Sequence, residues 1–214
     1  MNMRIGAVLT ALAMALTATA DLVDLELELP EPRFKGTPVP VKLPNLEKPR
    51  NAPRPVMKVP KGCENVAVDK VVSSSDENPV IGELDLITDD DADAREYVEL
   101  KPGLQWVQID LEESYALYAI LVWHYHLEPR AYHDVIVQVS DDEDFLTGVK
   151  TVYNNDHDNS AGKGAGKDSA YVETNEGRLI DAKGVKGRYV RFYSKGSTGS
   201  DANHYTEIAV YGKQ

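Results

Sequence analysis

The chain has 214 residues, a length that accommodates one domain with appended segments. Its formal net charge of −12 repels nucleic acid and anionic membranes at long range and attracts divalent cations. Cys63 is the single cysteine, so an internal disulfide framework is excluded. We expect this thiol to be buried and inert, with pairing to another chain as the alternative.

The start of the chain has the pattern of a secretory signal peptide. A short positive stretch over residues 1–4 precedes an almost wholly apolar run over residues 5–16, and residues 18–20 read Ala-Thr-Ala, a small-residue cleavage pattern. A membrane anchor is the alternative, but the apolar run is shorter than the ~20 residues of a membrane span. The pattern therefore predicts cleavage before Asp21, a secreted, extracytoplasmic protein, and no transmembrane segment after signal removal.

Residues 21–60 are rich in proline and contain nine of the twelve prolines. Proline lacks a backbone N–H and fixes φ, so neither a helix nor a sheet propagates through this segment. Leucines alternate with acids over residues 21–29, which predicts one exposed strand. The remainder predicts a semi-rigid, extended tether that holds the following domain away from a surface or partner.

Residues 61–214 have the composition of an all-β domain. Short runs of β-branched, aromatic and other apolar residues are separated by turn signals, and no amphipathic helix of three turns is visible. About eight short strands with irregular loops indicate a jelly-roll β-sandwich. The predicted strands include residues 66–72, 97–100, 105–111, 117–123, 135–139, 188–193 and 208–211.

Three stretches of this domain resemble a known family. Residues 105–111 read QWVQIDL, residues 187–194 read GRYVRFYS, and residues 204–212 read HYTEIAVYG. Together they resemble the discoidin family, also called the coagulation-factor type C domain, which overlaps with the family 32 carbohydrate-binding modules and has a galactose-binding-like jelly roll. The resemblance covers residues 64–212. It implies a small β-sandwich that holds sugars, lipid head groups or proteins on loops at one end.

An acidic loop at residues 89–91 is a candidate calcium site. Ca²⁺ is a hard cation that takes oxygen ligands from carboxylates and backbone carbonyls, although acids in a loop are commonly just solvated. The resemblance implies a structural Ca²⁺ and a particular set of ligands for it. These are the carbonyl of Leu86, oxygens of Asp89 and Asp91, the carbonyl of Thr206 and the carboxylate of Glu207.

A histidine cluster is the candidate ligand site. His124 and His126 are two residues apart at the end of an apolar strand, so we expect them to project to the same face. Arg130 and His133 follow in the next loop. The resemblance implies that such residues grip sugar hydroxyls in front of an aromatic ring, and His204 completes the predicted set. Two alternatives are a structural role, in which the side chains satisfy loop carbonyls, and a zinc site.

The glycine-rich segment 154–170 is unusually long for a connection inside a compact domain. It fails the phosphate-loop pattern because Asp168 follows Lys167 where Ser or Thr is needed. The sequence D-x-D-x-S at residues 156–160 starts like a calcium-binding EF-hand loop, but Lys167 occupies the twelfth position, where Glu is needed. We expect a flexible loop that rims the ligand site.

No catalytic nucleophile signature is present in the sequence. These observations favour an exported, non-catalytic carbohydrate-binding module that is stabilised by calcium and has a glycan as its partner. The first alternative is a cell-adhesion or assembly module that binds a surface protein through its loops and acidic segment. The second is a hydrolase that uses His124, His126 and His133 around a metal.

Overall fold

The computed structural model describes residues 21–34, 40–50 and 52–214, so the predicted signal peptide lies outside the described residues. Within these ranges, no helix has the length and hydropathy needed to cross a membrane. The described chain contains a short 3₁₀ helix, Leu84–Ile87, and eleven strands. The strands are β1 Leu22–Asp24, β2 Lys58–Pro60, β3 Glu64–Asn65, β4 Val72–Ser74, β5 Val98–Leu100, β6 Gln105–Trp123, β7 Ile136–Ser140, β8 Lys150–Asn154, β9 Arg178–Ser194, β10 Asn203–Tyr205 and β11 Glu207–Lys213.

Two long antiparallel strands, β6 and β9, form the frame of the domain. Their pairing runs from Gln105 opposite Ser194 to Val122 opposite Arg178, and the register shifts after Asp110. The bend in β6 lies at residues 112–114, which are exposed. Because each strand bends midway, its two halves lie in different layers of a sandwich.

The two layers are built around the halves of β6 and β9. The first half of β6 pairs with β4, the last half of β9 pairs with β7, and β7 pairs with β8. In the other layer, the remainder of β6 pairs with β11, which also pairs with β3. The predicted all-β sandwich is confirmed. Its core lies between the layers and includes Val107, Ile109, Leu117, Ile120, Val190, Phe192, Ile208 and Val210.

Some of the predicted strands differ from those in the structure. Residues 66–69 form a turn, and the strand predicted at residues 66–72 begins only at Val72. Val66 and Ala67 are apolar because this turn packs into the core. The strands predicted at residues 105–111 and 117–123 are parts of the single strand β6.

The described residues of the predicted tether lie against the sandwich and do not extend away from it. The exposed strand predicted near the start of this segment is present as β1, which pairs with β2. Further along, the Arg33 guanidinium donates to both carboxylate oxygens of Asp93, at 3.1 and 2.9 Å. The amide Nδ2 of Asn175 donates to the carbonyl of Pro30 at 2.8 Å. A proline-rich chain has few backbone donors, so side chains provide several of its attachments.

Candidate functional site

The loops that follow β6, β8 and β9 meet at one end of the sandwich. Backbone hydrogen bonds join them, since the N–H of Glu173 donates to the carbonyl of Arg130 at 2.8 Å and the N–H of Thr198 donates to that of Ala131 at 2.9 Å. Four of the five predicted ligand residues lie in the loop that follows β6, and the fifth, His204, lies in β10. Loops held by a rigid sheet are a common location for binding sites.

A buried polar cluster lies beneath these loops. The His124 Nδ1 atom is 2.6 Å from Glu173 Oε1, and its ring stacks on Tyr132 with centroids 4.3 Å apart. The Tyr132 hydroxyl lies 3.0 Å from Nδ1 of His204, and Nε2 of His204 lies 3.2 Å from a carboxylate oxygen of Glu99. The cluster therefore joins the end of β6 to β5 and β10.

The partners of His204 define its hydrogen-bonding state. Burial lowers its pKa to about 4, and the charges of Arg130 and His124 act in the same direction. The ring is therefore neutral at pH 7. A carboxylate only accepts, so Nε2 carries the hydrogen and donates to Glu99, while Nδ1 accepts from the Tyr132 hydroxyl.

An arginine–tyrosine stack lies above this cluster. The Arg130 guanidinium carbon is 4.6 Å from the centroid of the Tyr125 ring, and Nη2 donates to Glu128 at 2.6 Å. Tyr97 meets Tyr125 edge-on with centroids 5.0 Å apart. The Tyr97 and Tyr125 rings are only half-buried, so they present apolar surface beside a cationic group. Such a combination is suited to a polar ligand with an apolar face.

The predicted ligand residues lie in three environments. His124, Arg130 and His204 share the cluster described above. The His126 ring lies elsewhere, with Nε2 2.8 Å from the carbonyl oxygen of Ala92. His133 is half-buried and lines a neighbouring cavity. The side chains of His124, His126 and His204 are almost completely buried and Arg130 is only 7% exposed, so the half-buried His133 is the most accessible of the five to an external ligand.

The neighbouring cavity has a volume of about 290 Å³, and polar residues outnumber apolar ones in its lining. The Asn155 Oδ1 atom accepts from the backbone N–H of Val135 at 2.7 Å, which fixes the orientation of the amide. Its Nδ2 is buried and has no hydrogen-bond partner among the described residues. Sequence reasoning missed this donor because Asn155 lies in the irregular glycine-rich segment 154–170, which has no recognisable ligand pattern. The lining residues include His133, Asp134, Asn155, His157, Asp158 and Lys195.

The segment 154–170 forms one wall of this cavity and is tied to itself. The side chain of Asn154 donates to the carbonyl of Gly164 at 2.9 Å, and Asp168 accepts from the N–H of Asn154 at 2.7 Å. Asp156 and Asp158 lie near Asp134, with one carboxylate oxygen from each within 4.8 Å of the others. The two oxygens of Asp156 accept backbone N–H groups of the same loop, which gives these acids a structural role.

The acidic loop lies beside the start of β11. Glu207 is 2% exposed, and neither of its carboxylate oxygens has a hydrogen-bond partner among the described residues. Burial, followed by the nearby charges of Asp89 and Asp90, raises the pKa of Glu207 to about 9. Burial also raises the pKa of Asp89. The fold thus brings a buried carboxyl group without a hydrogen-bond partner to a loop of acids, where burial favours its neutral form unless a cation is bound.

The remaining predicted metal ligands lie in the acidic loop, in the 3₁₀ helix before it, and immediately before Glu207. Leu86 lies in the 3₁₀ helix that leads into the acidic loop. The N–H of Asp91 donates to Asp89 Oδ1 at 3.0 Å, so these two residues form one tight turn. The Thr206 N–H donates to the carbonyl of Trp123 at 2.9 Å, which fixes the residue before Glu207 against β6. The donor set is made of oxygens, as Ca²⁺ requires.

Comparison with known proteins places the architecture in a class. The fold is that of a discoidin-type, galactose-binding-like β-sandwich. No protein-family model matches the sequence, and no curated protein matches it. A similar solved structure is the family 89 glycoside hydrolase from Clostridium perfringens in complex with 2-acetamido-1,2-dideoxynojirmycin, with 19% identity and a TM-score of 0.52 over 70% of this chain. This chain spans 15% of the length of that hydrolase.

Two smaller structures are also similar. One is the CBM32 of AlyQ in complex with 4,5-unsaturated mannuronic acid, with 16% identity, a TM-score of 0.49, and coverage of 67% of this chain and 95% of that chain. The other is a Streptococcus pneumoniae fucose binding module, with 17% identity, a TM-score of 0.48, and coverage of 71% and 99%. Similarity at this level concerns the fold, and function is argued from the site.

Proposed function

We propose that this protein is an exported, non-catalytic carbohydrate-binding module that holds a glycan on the loops following β6, β8 and β9. The observation that carries the proposal is the buried, unpartnered Nδ2 of Asn155 in a polar cavity. A buried donor without a partner is costly, and a ligand acceptor removes that cost. Two modules of similar fold are described as sugar binders, one in complex with 4,5-unsaturated mannuronic acid and one a fucose binding module.

The cavity chemistry suits a hydroxyl-rich ligand. A sugar hydroxyl both donates and accepts, and the lining offers donors in Asn155 and Lys195 and acceptors in Asp134 and Asp158. The Lys195 ammonium lies 3.7 Å from Asp134, so a cation and an anion flank the same space. The volume of about 290 Å³ is at the lower end of small-molecule pockets, which favours a short stretch of sugar over a long chain.

The arginine–tyrosine stack extends this site along the loop surface. Tyr125 supplies an apolar ring beside a sugar, and the Arg130 guanidinium, which stacks over one face of that ring, supplies fixed hydrogen-bond donors. The buried rings of His124 and His204 take positioning roles, because they hold Tyr132 and the loop that carries Arg130. His126 takes a comparable role at the acidic loop.

We further propose that Ca²⁺ stabilises the module at the acidic loop. The residues that would hold it are Leu86 and Thr206 through their carbonyls and Asp89, Asp91 and Glu207 through their carboxylates. The partnerless Glu207 oxygens support this assignment, because a cation would remove the penalty of burying them. When bound, Ca²⁺ would offset the negative charge of the loop and fasten it to β11.

A metal-dependent hydrolase is the weaker alternative. His124 pairs with Glu173, His126 pairs with a carbonyl and His133 lines a separate cavity. Within residues 21–34, 40–50 and 52–214, no cluster of three metal-ligating side chains includes a histidine. These positions support a binding role for the histidine loop.

A glycan array tests the proposed function. The purified chain should bind a restricted set of glycans, and Asn155→Asp should lose that binding while keeping the acceptor for the Val135 N–H. Glu113→Gln is the matched control, since this exposed acid lies at the bend of β6. Incubation of the bound glycan with the protein should release no new reducing ends. A folded Asn155→Asp variant that retains binding would place the ligand elsewhere.

A further inference from the structure

The proline-rich segment forms part of the cavity that contains the Asn155 amide. Leu43 and Asn45 belong to this segment, and both line the cavity of about 290 Å³ together with residues of the sandwich. A glycan in this cavity would therefore meet residues that lie before the sandwich in the chain.

A short backbone bridge fixes the segment at the cavity. Leu46 pairs with Ala170 in a parallel bridge. The Ala170 N–H donates to the carbonyl of Asn45 at 3.0 Å, and the Glu47 N–H donates to that of Ala170 at 2.8 Å. The Glu47 carboxylate accepts from Arg178 at 2.8 Å. Backbone and side-chain contacts thus both hold this part of the segment against the sandwich.

Hydrogen bonds define the orientation of the Asn45 amide. Its Nδ2 atom lies 2.7 Å from the carbonyl oxygen of Asn155 and 3.5 Å from that of Asp168. A carbonyl only accepts, so the group that faces these two oxygens is the NH₂, and the other atom is the acceptor Oδ1. No described residue donates to Oδ1, and this oxygen is not fully buried. Asn45 therefore has a free acceptor.

The Asn155 amide supplies the complementary donor. Its Oδ1 accepts from the N–H of Val135 at 2.7 Å, and its backbone N–H donates to the carbonyl of Val135 at 3.0 Å. Its own carbonyl accepts from Asn45, which leaves the buried Nδ2 as the group without a partner among the described residues. A hydroxyl group both donates and accepts, so a free donor and a free acceptor in one cavity are matched to hydroxyls.

Leu43 adds apolar surface to the same wall. It is half-buried and lines the cavity beside polar groups of the sandwich. Binding pockets for small molecules combine apolar walls with a few fixed polar groups. A sugar ring has the same combination, because carbon-bound hydrogens cover part of its surface between the hydroxyls.

We propose that Leu43 and Asn45 contact the bound glycan, with Asn45 Oδ1 accepting from a sugar hydroxyl and Asn155 Nδ2 donating to one. This inference rests on the carbohydrate-binding function proposed above. The proline-rich segment is thus a wall of the ligand site and takes part in its specificity. A sugar that lacks the hydroxyl, or carries it in the opposite configuration, leaves these groups unpaired and binds more weakly.

The test combines sugar affinity with the protection of the segment. The full chain is applied to a printed array of mono- and disaccharides, and the array member with the strongest signal is used for calorimetric titration. Hydrogen exchange of residues 41–48 is measured by mass spectrometry with and without that sugar. The variants are Asn45→Ala and Leu43→Ala. Lys42→Ala is the matched control, because this exposed residue of the same segment lies outside the cavity lining.

We expect the sugar to slow hydrogen exchange over residues 41–48 of the unmodified chain. Asn45→Ala should weaken binding by about two- to tenfold, as the loss of a neutral hydrogen bond does. Leu43→Ala should weaken it by a similar factor, because apolar contact area is lost. This second variant keeps the hydrogen bonds that anchor the segment, so it remains informative if Asn45→Ala loosens the segment. Lys42→Ala should bind like the unmodified chain.

The outcomes separate the wall from the site itself. If Asn45→Ala and Leu43→Ala both bind like Lys42→Ala, and the sugar leaves exchange of the segment unchanged, the wall inference is wrong while the site at Asn155 stands. If a folded Asn155→Asp variant retains binding, or the unmodified chain binds no member of the array, the proposed site and its wall are both wrong.

Discussion

His124 Nδ1 lies 2.6 Å from Glu173 Oε1, and both side chains are completely buried. This contact joins the end of β6 to the loop that precedes β9. The backbone N–H of Glu173 also donates to the carbonyl of Arg130. The pair therefore helps to set the position of the loop that presents Arg130 to a ligand.

Removing one member of this pair should destabilise the protein strongly. Glu173→Ala leaves the buried Nδ1 of His124 without its nearest hydrogen-bond partner, and an unsatisfied buried polar group costs about 1–3 kcal/mol. Glu128→Ala is the comparison, because Glu128 is the exposed partner of Arg130 and its loss should cost less than about 1 kcal/mol. The free energy of unfolding in urea measures both. Similar losses for the two variants would contradict the structural role of the buried pair.

His204 should make stability depend on pH in a defined window. In the folded protein its pKa is about 4, whereas an unfolded histidine titrates near 6.5. The unfolded state therefore binds more protons between these values. The contribution of this residue is fully present above pH 6.5 and is lost as the pH falls toward 4, by about 3 kcal/mol in total. His204→Gln should flatten this part of the curve of unfolding free energy against pH. If His204→Gln leaves the dependence of unfolding free energy on pH unaltered, the low pKa of His204 is refuted.

Calcium should raise thermal stability through Glu207. A ligand that binds only the folded state at a hundredfold excess over its Kd stabilises by about 2.7 kcal/mol. Chelation should therefore lower the Tm of the unmodified chain. Glu207→Gln keeps the shape of the side chain and removes its charge, so it should match or exceed the wild type in chelator and gain nothing from calcium. A calcium response that survives this substitution would exclude Glu207 as a ligand.

The close packing of Gly82 against the backbone of Tyr97 should make substitutions at position 82 costly. Gly82 has φ of +73°, and a Cβ there would lie 2.4 Å from the carbonyl oxygen of Tyr97. Gly103 also has positive φ, at +98°, but a Cβ there would meet open space. Gly103→Ala should cost about 1–2 kcal/mol from backbone strain alone, and Gly82→Ala should cost more. Thermal denaturation of the two variants measures the difference, and equal losses would show that the contact with Tyr97 is relieved easily.

The sequence predicts the sandwich because the apolar residues of its strands are the side chains that pack in the core. The C-terminal strand, residues 208–211, was expected from its apolar residues and is the centre of β11. The first half of β9 was missed, since Lys183, Gly184 and Lys186 interrupt the apolar run where the strand bends. Lys183 and Gly184 both have positive φ there. Such bends depend on the partner strand and have little local signal.

The candidate site was predictable in its location and only partly in its contacts. Arg130 and His133 lie at the loop end, as their position after an apolar strand indicates. The burial of His124 depends partly on Glu173, which lies 49 residues further along the chain, so residue type alone did not separate a ligand contact from a positioning role. The docking of the proline-rich segment likewise depends on side-chain partners such as Asp93.

The central claim is that a glycan binds on the loop end at Arg130. The direct measurement is a calorimetric titration of wild type and Arg130→Ala with the best glycan from the array. A shallow site of this kind should give a Kd in the micromolar to millimolar range, about −8 to −4 kcal/mol. Loss of a charged donor should weaken binding by roughly ten- to a hundredfold in a variant that remains folded. Unchanged affinity in a folded Arg130→Ala variant would contradict the account.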